Sequence, residues 1–167
     1  MLTLTQARPG EESICMEIIA DGRQFQQEQG FIQWTEDYPA LPDIAGDIAA
    51  GKGYLLREGD TVLGYLCLDF DGEPAYTGIT EGSWRWEEPY GVVHRLALNR
   101  AGRGQGLSSR VFGLMEERCR EQGIRCLRAD TDPENARMQH ILEKIGFEKR
   151  GIIIFQGSGK LAYEKRI

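Results

Sequence analysis

Asn99 to Ser109 reads NRAGRGQGLSS, with Gly102, Gly104 and Gly106 at alternate positions and Arg100 and Arg103 among them. The apolar run GVVHRLAL precedes it, and Leu107, Val111, Leu114, Met115 and Cys119 follow at helical spacing. A strand that passes through glycines into a helix is an anion-binding arrangement. The N–H groups of a helix's first turn have no partner within the helix, and the macrodipole adds about half a positive charge there. Glycine also lets a ligand approach the main chain closely. The same composition suits a tight strand-to-helix turn that needs glycine only for its dihedral angles. Two nucleotide loops fit badly. Taken from Gly104, the last glycine of a GxGxxG fingerprint falls on Ser109, and the loop lies late in the chain. The phosphate loop GxxxxGK[ST] needs a lysine where Leu107 follows Gly106. GSGKL near the C-terminus fails as well, with Leu161 at the hydroxyl position and Ile154 at the first glycine, and reads as a hairpin turn.

The elements that must hold this loop follow from periodicity. LTLTQAR alternates as a strand, and PGEESICMEIIADGRQFQQEQ carries a helix after its Pro-Gly break, with Ile14, Ile18 and Phe25 near one face. FIQWTEDYPALPD reads as a loop, and DIAGDIAAGK as a short helix stopped by glycine. GYLLREGDTVLGYLCLDF is a hairpin turning at Glu58-Gly59-Asp60. DGEPAYTGITEGSWRWEEPYG is polar, aromatic and mostly irregular. GVVHRLAL, the helix after the glycines and the strand CLRADT come next. NARMQHILEKIG is a helix that Asp132-Pro133 precedes and Gly146 ends. FEKRGIIIF and KLAYEKRI are the last strands, with QGSG between them. The order β-α-α-β-β-β-α-β-α-β-β predicts a mixed sheet with helices on its faces.

With that order in hand, Arg103-Gly104-Gln105-Gly106-Leu107-Ser108 resembles the [QR]-x-x-G-x-[GA] signature of the GNAT superfamily of N-acetyltransferases. Ser108, a small residue, stands in the final place. VVHRLAL looks like that family's fourth strand, and NARMQHILEKIGF is similar to its second cofactor segment. The resemblance spans essentially the whole chain. It implies an α/β (α+β) fold, one acetyltransferase domain over residues 1–167, with a central, mostly antiparallel mixed sheet of six to seven strands and about four helices. It implies acetyl-CoA as co-substrate in a cleft where the fourth and fifth strands splay, with the pyrophosphate on the N–H groups of Arg103, Gly104, Gln105, Gly106, Leu107 and Ser108. Arg100 and Arg103 would supply charge. Pantetheine would pair with Leu96, Ala97 and Leu98 as an added strand does, and Asn135 would help hold the cofactor.

The resemblance also implies acetyl transfer to an amine of a small molecule or peptide, and a homodimer is an assembly common among such proteins. His94 is the candidate base, since imidazole titrates near neutrality; the competing reading is a histidine hydrogen-bonded inside the sheet. Many relatives carry a tyrosine four residues before the Gly of Gly-Phe. Here that place holds Leu142. A thiol of pKa about 8.5 can leave as thiolate, or Tyr163 can serve as the acid. Leu142 also favours an alternative, a non-catalytic acyl-CoA sensor or partner-binding module. QWTEDYP and GSWRWEEPYG could wall a cation site, or pack down on the sheet, and Arg95 could recruit an acidic acceptor.

The bulk composition narrows the partners. The chain has 167 residues, net charge −6, 41% hydrophobic and 28% charged residues, an ordinary globular balance. An acidic chain is not expected to bind nucleic acid. Cysteines at 15, 67, 119 and 126 form no CxxC pair, and only His94 and His140 join them, so no metal site is expected. The thiols read as reduced and partly buried in a cytoplasmic protein. No signal core or membrane-length apolar run is visible, so no membrane partner is expected.

Overall fold

The structure, a computed structural model, describes residues 1–167. Its strands are β1 (Leu2–Gln6), β2 (Gly53–Glu58), β3 (Thr61–Asp69), β4 (Gly91–Leu98), β5 (Cys126–Thr131), β6 (Glu148–Phe155) and β7 (Ser158–Arg166). The helices are α1 (Glu12–Glu28), α2 (Leu41–Ala49), α3 (Ser108–Glu121) and α4 (Ala136–Lys144), with a short 3-10 helix at Pro74–Gly78. The strands form one sheet in the order β1-β2-β3-β4-β5-β7-β6, mostly antiparallel. This is the order and class that the periodicity predicts, with the 3-10 helix added inside the irregular stretch.

The chain falls into two compact units. The first comprises Met1–Leu68 and His94–Leu114, the second Asp69–Val93 and Met115–Ile167. In the first, β1 pairs antiparallel with β2, and β2 with β3 across Gly59-Asp60, where Gly59 has φ +60°. Leu2 and Leu4 of β1 are buried, as strict alternation demands. On α1 the buried positions are Cys15, Ile18, Ile19 and Gln26, a 3–4 spacing. Ile14, expected on that face, is 39% exposed: it lies one residue away from Cys15, and a helix turns 100° per residue. α1 approaches so closely that a Cβ on Gly22 would sit 2.9 Å from the Trp34 ring and 3.0 Å from the Ala97 Cβ. Trp34, Ile44, Ile48, Leu55 and Tyr65 complete this core. Gln26 fixes the segment after α1, because its buried Oε1 accepts the Trp34 N–H at 2.9 Å.

In the second unit β5, β7 and β6 form an antiparallel set, and β4 pairs in parallel with β5 at Gly91↔Leu127 and Val92↔Arg128. The β6–β7 turn is two residues, Gln156 (φ +54°) and Gly157 (φ +76°). Two left-handed residues are what the twist of a two-residue hairpin requires, so β7 begins earlier than KLAYEKRI suggests. α4 starts on Asn135, whose Oδ1 accepts the Met138 N–H at 3.0 Å, and Gly146 (φ +100°) follows its end. The connection from Asp69 to Gly91 is tied down rather than loose. Thr80 bridges Ile152, the Trp84 indole donates to the Tyr76 carbonyl at 2.8 Å, and the Arg85 N–H donates to the Glu164 carboxylate at 2.9 Å. No helix is long and apolar enough to cross a membrane.

Candidate active site

The three glycines after β4 prove to differ. A Cβ on Gly102 would lie 2.7 Å from the Leu63 carbonyl oxygen, so this glycine exists for packing against β3. Gly104 and Gly106 have φ of +77° and +66°, and a Cβ on either would meet nothing within 4 Å. Their neighbours Arg103 and Gln105 stay at negative φ. That alternation turns successive N–H groups toward one concavity, the geometry of a backbone anion nest.

The Arg103 N–H is not among the free donors. It and the Gly102 N–H both close on Asn99. The N–H groups of Gly104, Gln105, Gly106, Leu107 and Ser108 find no acceptor within the chain, and α3 opens directly behind them. Leu107 is buried and anchors the turn, while Gly104, Gln105 and Gly106 are exposed and Ser108 is half-buried. The Gln105 amide folds back onto the Ala101 carbonyl.

Arg103 braces the loop rather than reaching outward: its Nη1 donates to the Asp21 carbonyl at 3.1 Å, and its guanidinium lies 4.6 Å from the Phe25 ring centroid. Arg100 is exposed beside Glu28, at 3.9 Å. Arg110, in the first turn of α3, is exposed and makes no ion pair. In the sequence its only signal is a lone arginine three residues past Leu107.

β4 carries the other expected residues. Ala97 is buried, and His94, Leu96 and Leu98 are half-buried. Arg95 between them has φ +53°, a left-handed conformation costing a non-glycine residue on the order of 1 kcal/mol. It is held there by Asp47: Nε donates to Oδ2 at 2.8 Å and Nη2 to Oδ1 at 2.5 Å, while Nη1 donates to the Tyr38 hydroxyl at 2.8 Å. Burial opposes the Arg95 charge most strongly, but the hydrogen bonds to Asp47 together with the electrostatic pull of Tyr38, Cys67 and Asp47 outweigh it and hold its pKa above the ordinary value. Tyr65 also donates to Asp47, at 2.7 Å. Arg95 is therefore already neutralised and does not serve an acidic acceptor. Trp34 lies in the core at 7% exposure, which removes it from any cation wall.

In the second unit, Leu142 is fully buried. Tyr163 is buried too, with its hydroxyl 3.4 Å from Glu143; burial first, then Glu143, raises its pKa, so it keeps its proton. Asn135 has committed its Oδ1 to capping α4 and retains its Nδ2 donors.

A pocket of about 520 Å³ opens in the same unit, walled by Tyr76, Trp84, Tyr90 and Arg128 with Glu87 and Glu88. Behind it the Tyr76 hydroxyl donates to Asp130 at 2.7 Å, and burial pushes the Asp130 carboxyl up to about 6. Arg128 and Asp130 were invisible as site residues, though two charges within the short strand CLRADT were the hint. No group of three or more potential ligands is placed to hold a metal ion.

A family profile described as the acetyltransferase (GNAT) family matches residues 19–147. A GNAT-family acetyltransferase from Streptococcus agalactiae is similar in structure, with 31% identity and a TM-score of 0.90, over 99% of this chain and 95% of that one. One from Listeria monocytogenes superposes with a TM-score of 0.78 at 20% identity, over 99% and 95%. The aminoglycoside acetyltransferase AAC(6')-Ib, in complex with coenzyme A and kanamycin, shares the fold with a TM-score of 0.71 at 19% identity, over 99% and 95%. No protein of curated function matches the sequence.

Proposed function

The chain belongs to the GNAT acetyltransferase family, and from that premise we propose that it is one acetyltransferase domain, residues 1–167, moving the acetyl group of acetyl-CoA to an amine of a small molecule or peptide. The observation that carries the reading is the turn from Gly104 to Ser108, with five unpartnered N–H groups at the start of α3. Those donors suit a pyrophosphate, and Arg100 and Arg110 add charge that Arg103 does not. Leu96, Ala97 and Leu98 would pair their main chain with pantetheine, and an N–H of that strand would receive the developing oxyanion. Asn135 would contribute its Nδ2. AAC(6')-Ib, which shares the fold, holds an amine-bearing substrate beside coenzyme A, which supports an amine acceptor.

The acceptor nitrogen attacks the thioester carbon, the C–N bond forms, and the C–S bond breaks to release thiolate. His94 would take the ammonium proton. Thiolate leaves without obligatory protonation, since a thiol's pKa is about 8.5; Tyr163, which keeps its proton, is the acid if one is used. Leu142, buried at the place where many family members carry a tyrosine, is the observation that favours the second reading, a non-catalytic acyl-CoA-binding module.

Acetyl-CoA with a pooled amine and peptide library separates the two. Acceptor-dependent release of CoA thiol is expected; tight acetyl-CoA binding with no such release assigns the binding module instead. Gly106→Asp places a carboxylate beside the pyrophosphate and is expected to abolish acetyl-CoA binding, and unchanged affinity would remove the loop assignment. His94→Ala is expected to lower the rate most below pH 8, where even an α-amine of pKa about 7.7–8.0 is largely protonated, whereas wild-type rates throughout the titration of that α-amine would exclude it as base.

A further inference from the structure

The pocket of the second unit is built around a clamped arginine. Arg128 is 5% exposed. Its Nε donates to the Glu164 carboxylate at 3.0 Å and its Nη2 to the Trp86 carbonyl at 2.7 Å. The guanidinium lies between two rings, 4.1 Å from the Trp84 centroid and 3.9 Å from that of Tyr90. Its Nη1 makes no hydrogen bond within the chain, and the residue lines the pocket. A guanidinium held at three points cannot swing toward solvent, so this N–H edge is a preorganised donor awaiting an acceptor. Glu164 does not cancel it completely, because that fully buried carboxylate also accepts from Arg150 Nε at 3.2 Å.

The pocket's other charges have the opposite sign. Glu87 is exposed and forms no ion pair. Glu88 turns its buried Oε1 to Arg166 Nε, 3.4 Å away but outside hydrogen-bond geometry. Tyr76, Trp84 and Tyr90 supply apolar wall. The faces of Trp84 and Tyr90 that meet Arg128 are already taken, so an ammonium here must be read by the carboxylates rather than by an aromatic cage.

We propose that this pocket is the acceptor pocket, and that it takes a molecule bearing an ammonium and a carbonyl or carboxylate a few bonds apart, beside an apolar group. Amino-acid amides and peptide N-termini have that pattern. Arg128 reads the carbonyl oxygen, Glu87 reads the ammonium with the Arg166-paired Glu88 adding to the negative field, and the rings hold the side chain. A volume of about 520 Å³ accommodates one such residue. The assignment of the ligand as acceptor rests on the acetyl-transfer reading; the recognition chemistry does not.

Calorimetry on the full chain without acetyl-CoA tests it with three probes: L-phenylalaninamide, phenethylamine without the carbonyl, and 3-phenylpropionamide without the amine. Phenylalaninamide is expected to bind about tenfold tighter than either of the others, since a site built to pair a polar group rejects the analogue that lacks it. Glu87→Gln, on an exposed side chain that forms no ion pair, is expected to weaken both amines and spare 3-phenylpropionamide. Arg128→Lys, checked for folding by circular dichroism, is expected to weaken the two amides and spare phenethylamine. Equal affinity for all three probes, no binding of phenylalaninamide, or amine affinities unchanged by Glu87→Gln would each overturn the proposal. Phe-Gly-Gly against phenylalaninamide then separates a peptide from a small amide as the ligand, both within the proposal. The predicted binding pattern without thiol release refutes acetyl transfer and leaves the pocket standing. Thiol release with a KM indifferent to Glu87→Gln does the reverse.

Discussion

Gly102, Gly104 and Gly106 look equivalent in NRAGRGQGLSS and serve different ends. Gly102→Ala forces a methyl to 2.7 Å from the Leu63 carbonyl, an overpacking expected to cost about 1–3 kcal/mol; urea unfolding reads this directly. The expected loss is in stability, with acetyl-CoA affinity retained in whatever protein folds. Asp130 gives a prediction in pH. Burial pushes its folded carboxyl up to about 6, above the ordinary carboxylate value of about 3.9. The folded state therefore holds a proton that the unfolded state gives up between those values. The resulting stabilisation is complete below about pH 4 and lost as pH rises through about 6. Asp130→Asn keeps an acceptor for the Tyr76 hydroxyl and removes the charge. Its melting temperature is expected to exceed the parent's at pH 8 and to match it near pH 4; a gain of equal size at both values would refute the sign.

At the scale of elements, β4 depends on an ion pair from another part of its unit. Arg95 adopts a left-handed φ in mid-strand, and the buried Asp47 of α2 receives two of its hydrogen bonds. Asp47→Ala leaves a guanidinium with 13% side-chain exposure without its partner, and removal of one member of such a pair is expected to cost about 3–5 kcal/mol. Chemical denaturation would show it, and a loss below about 1 kcal/mol would place the pair among ordinary surface bridges. None of this was legible in GVVHRLAL, where Arg95 reads as a free cation. What the sequence did disclose was local. CLRADT is β5 to the residue, and NARMQHILEKIG carries its own cap and stop. Periodicity also delivered the order of every strand and α-helix. It missed the 69–91 connection because that segment is fixed by partners far along the chain, Glu164 above all, and such contacts leave no local repeat. The anion nest was half legible: glycine spacing announced it, but only the structure separates the packing glycine from the two that turn the backbone, or reveals that Asn99 consumes the Arg103 N–H.

At the scale of the whole molecule, the four cysteines decide how the chemistry can be observed. They were expected to be partly buried, and all four are free thiols at 1% exposure or less. Burial, assisted by Glu11, Glu116 and Glu164 respectively, pushes Cys15, Cys119 and Cys126 up to about 12. The thiolate is the species that reacts with disulfide reagents. With a pKa of about 12, only about one thiol in ten thousand is ionised at pH 8, and the surrounding packing denies the reagent access as well. Native protein mixed with a chromogenic disulfide is therefore expected to release almost no colour over the minutes of an assay, and the full complement of four thiols in denaturant. A rapid native reaction of even one equivalent would contradict the burial seen in α1, β3, α3 and β5. If the thiols are silent as expected, the thiol that appears when acetyl-CoA and an acceptor are added together comes from CoA, and its dependence on Glu87 and His94 can be read without correction for the protein.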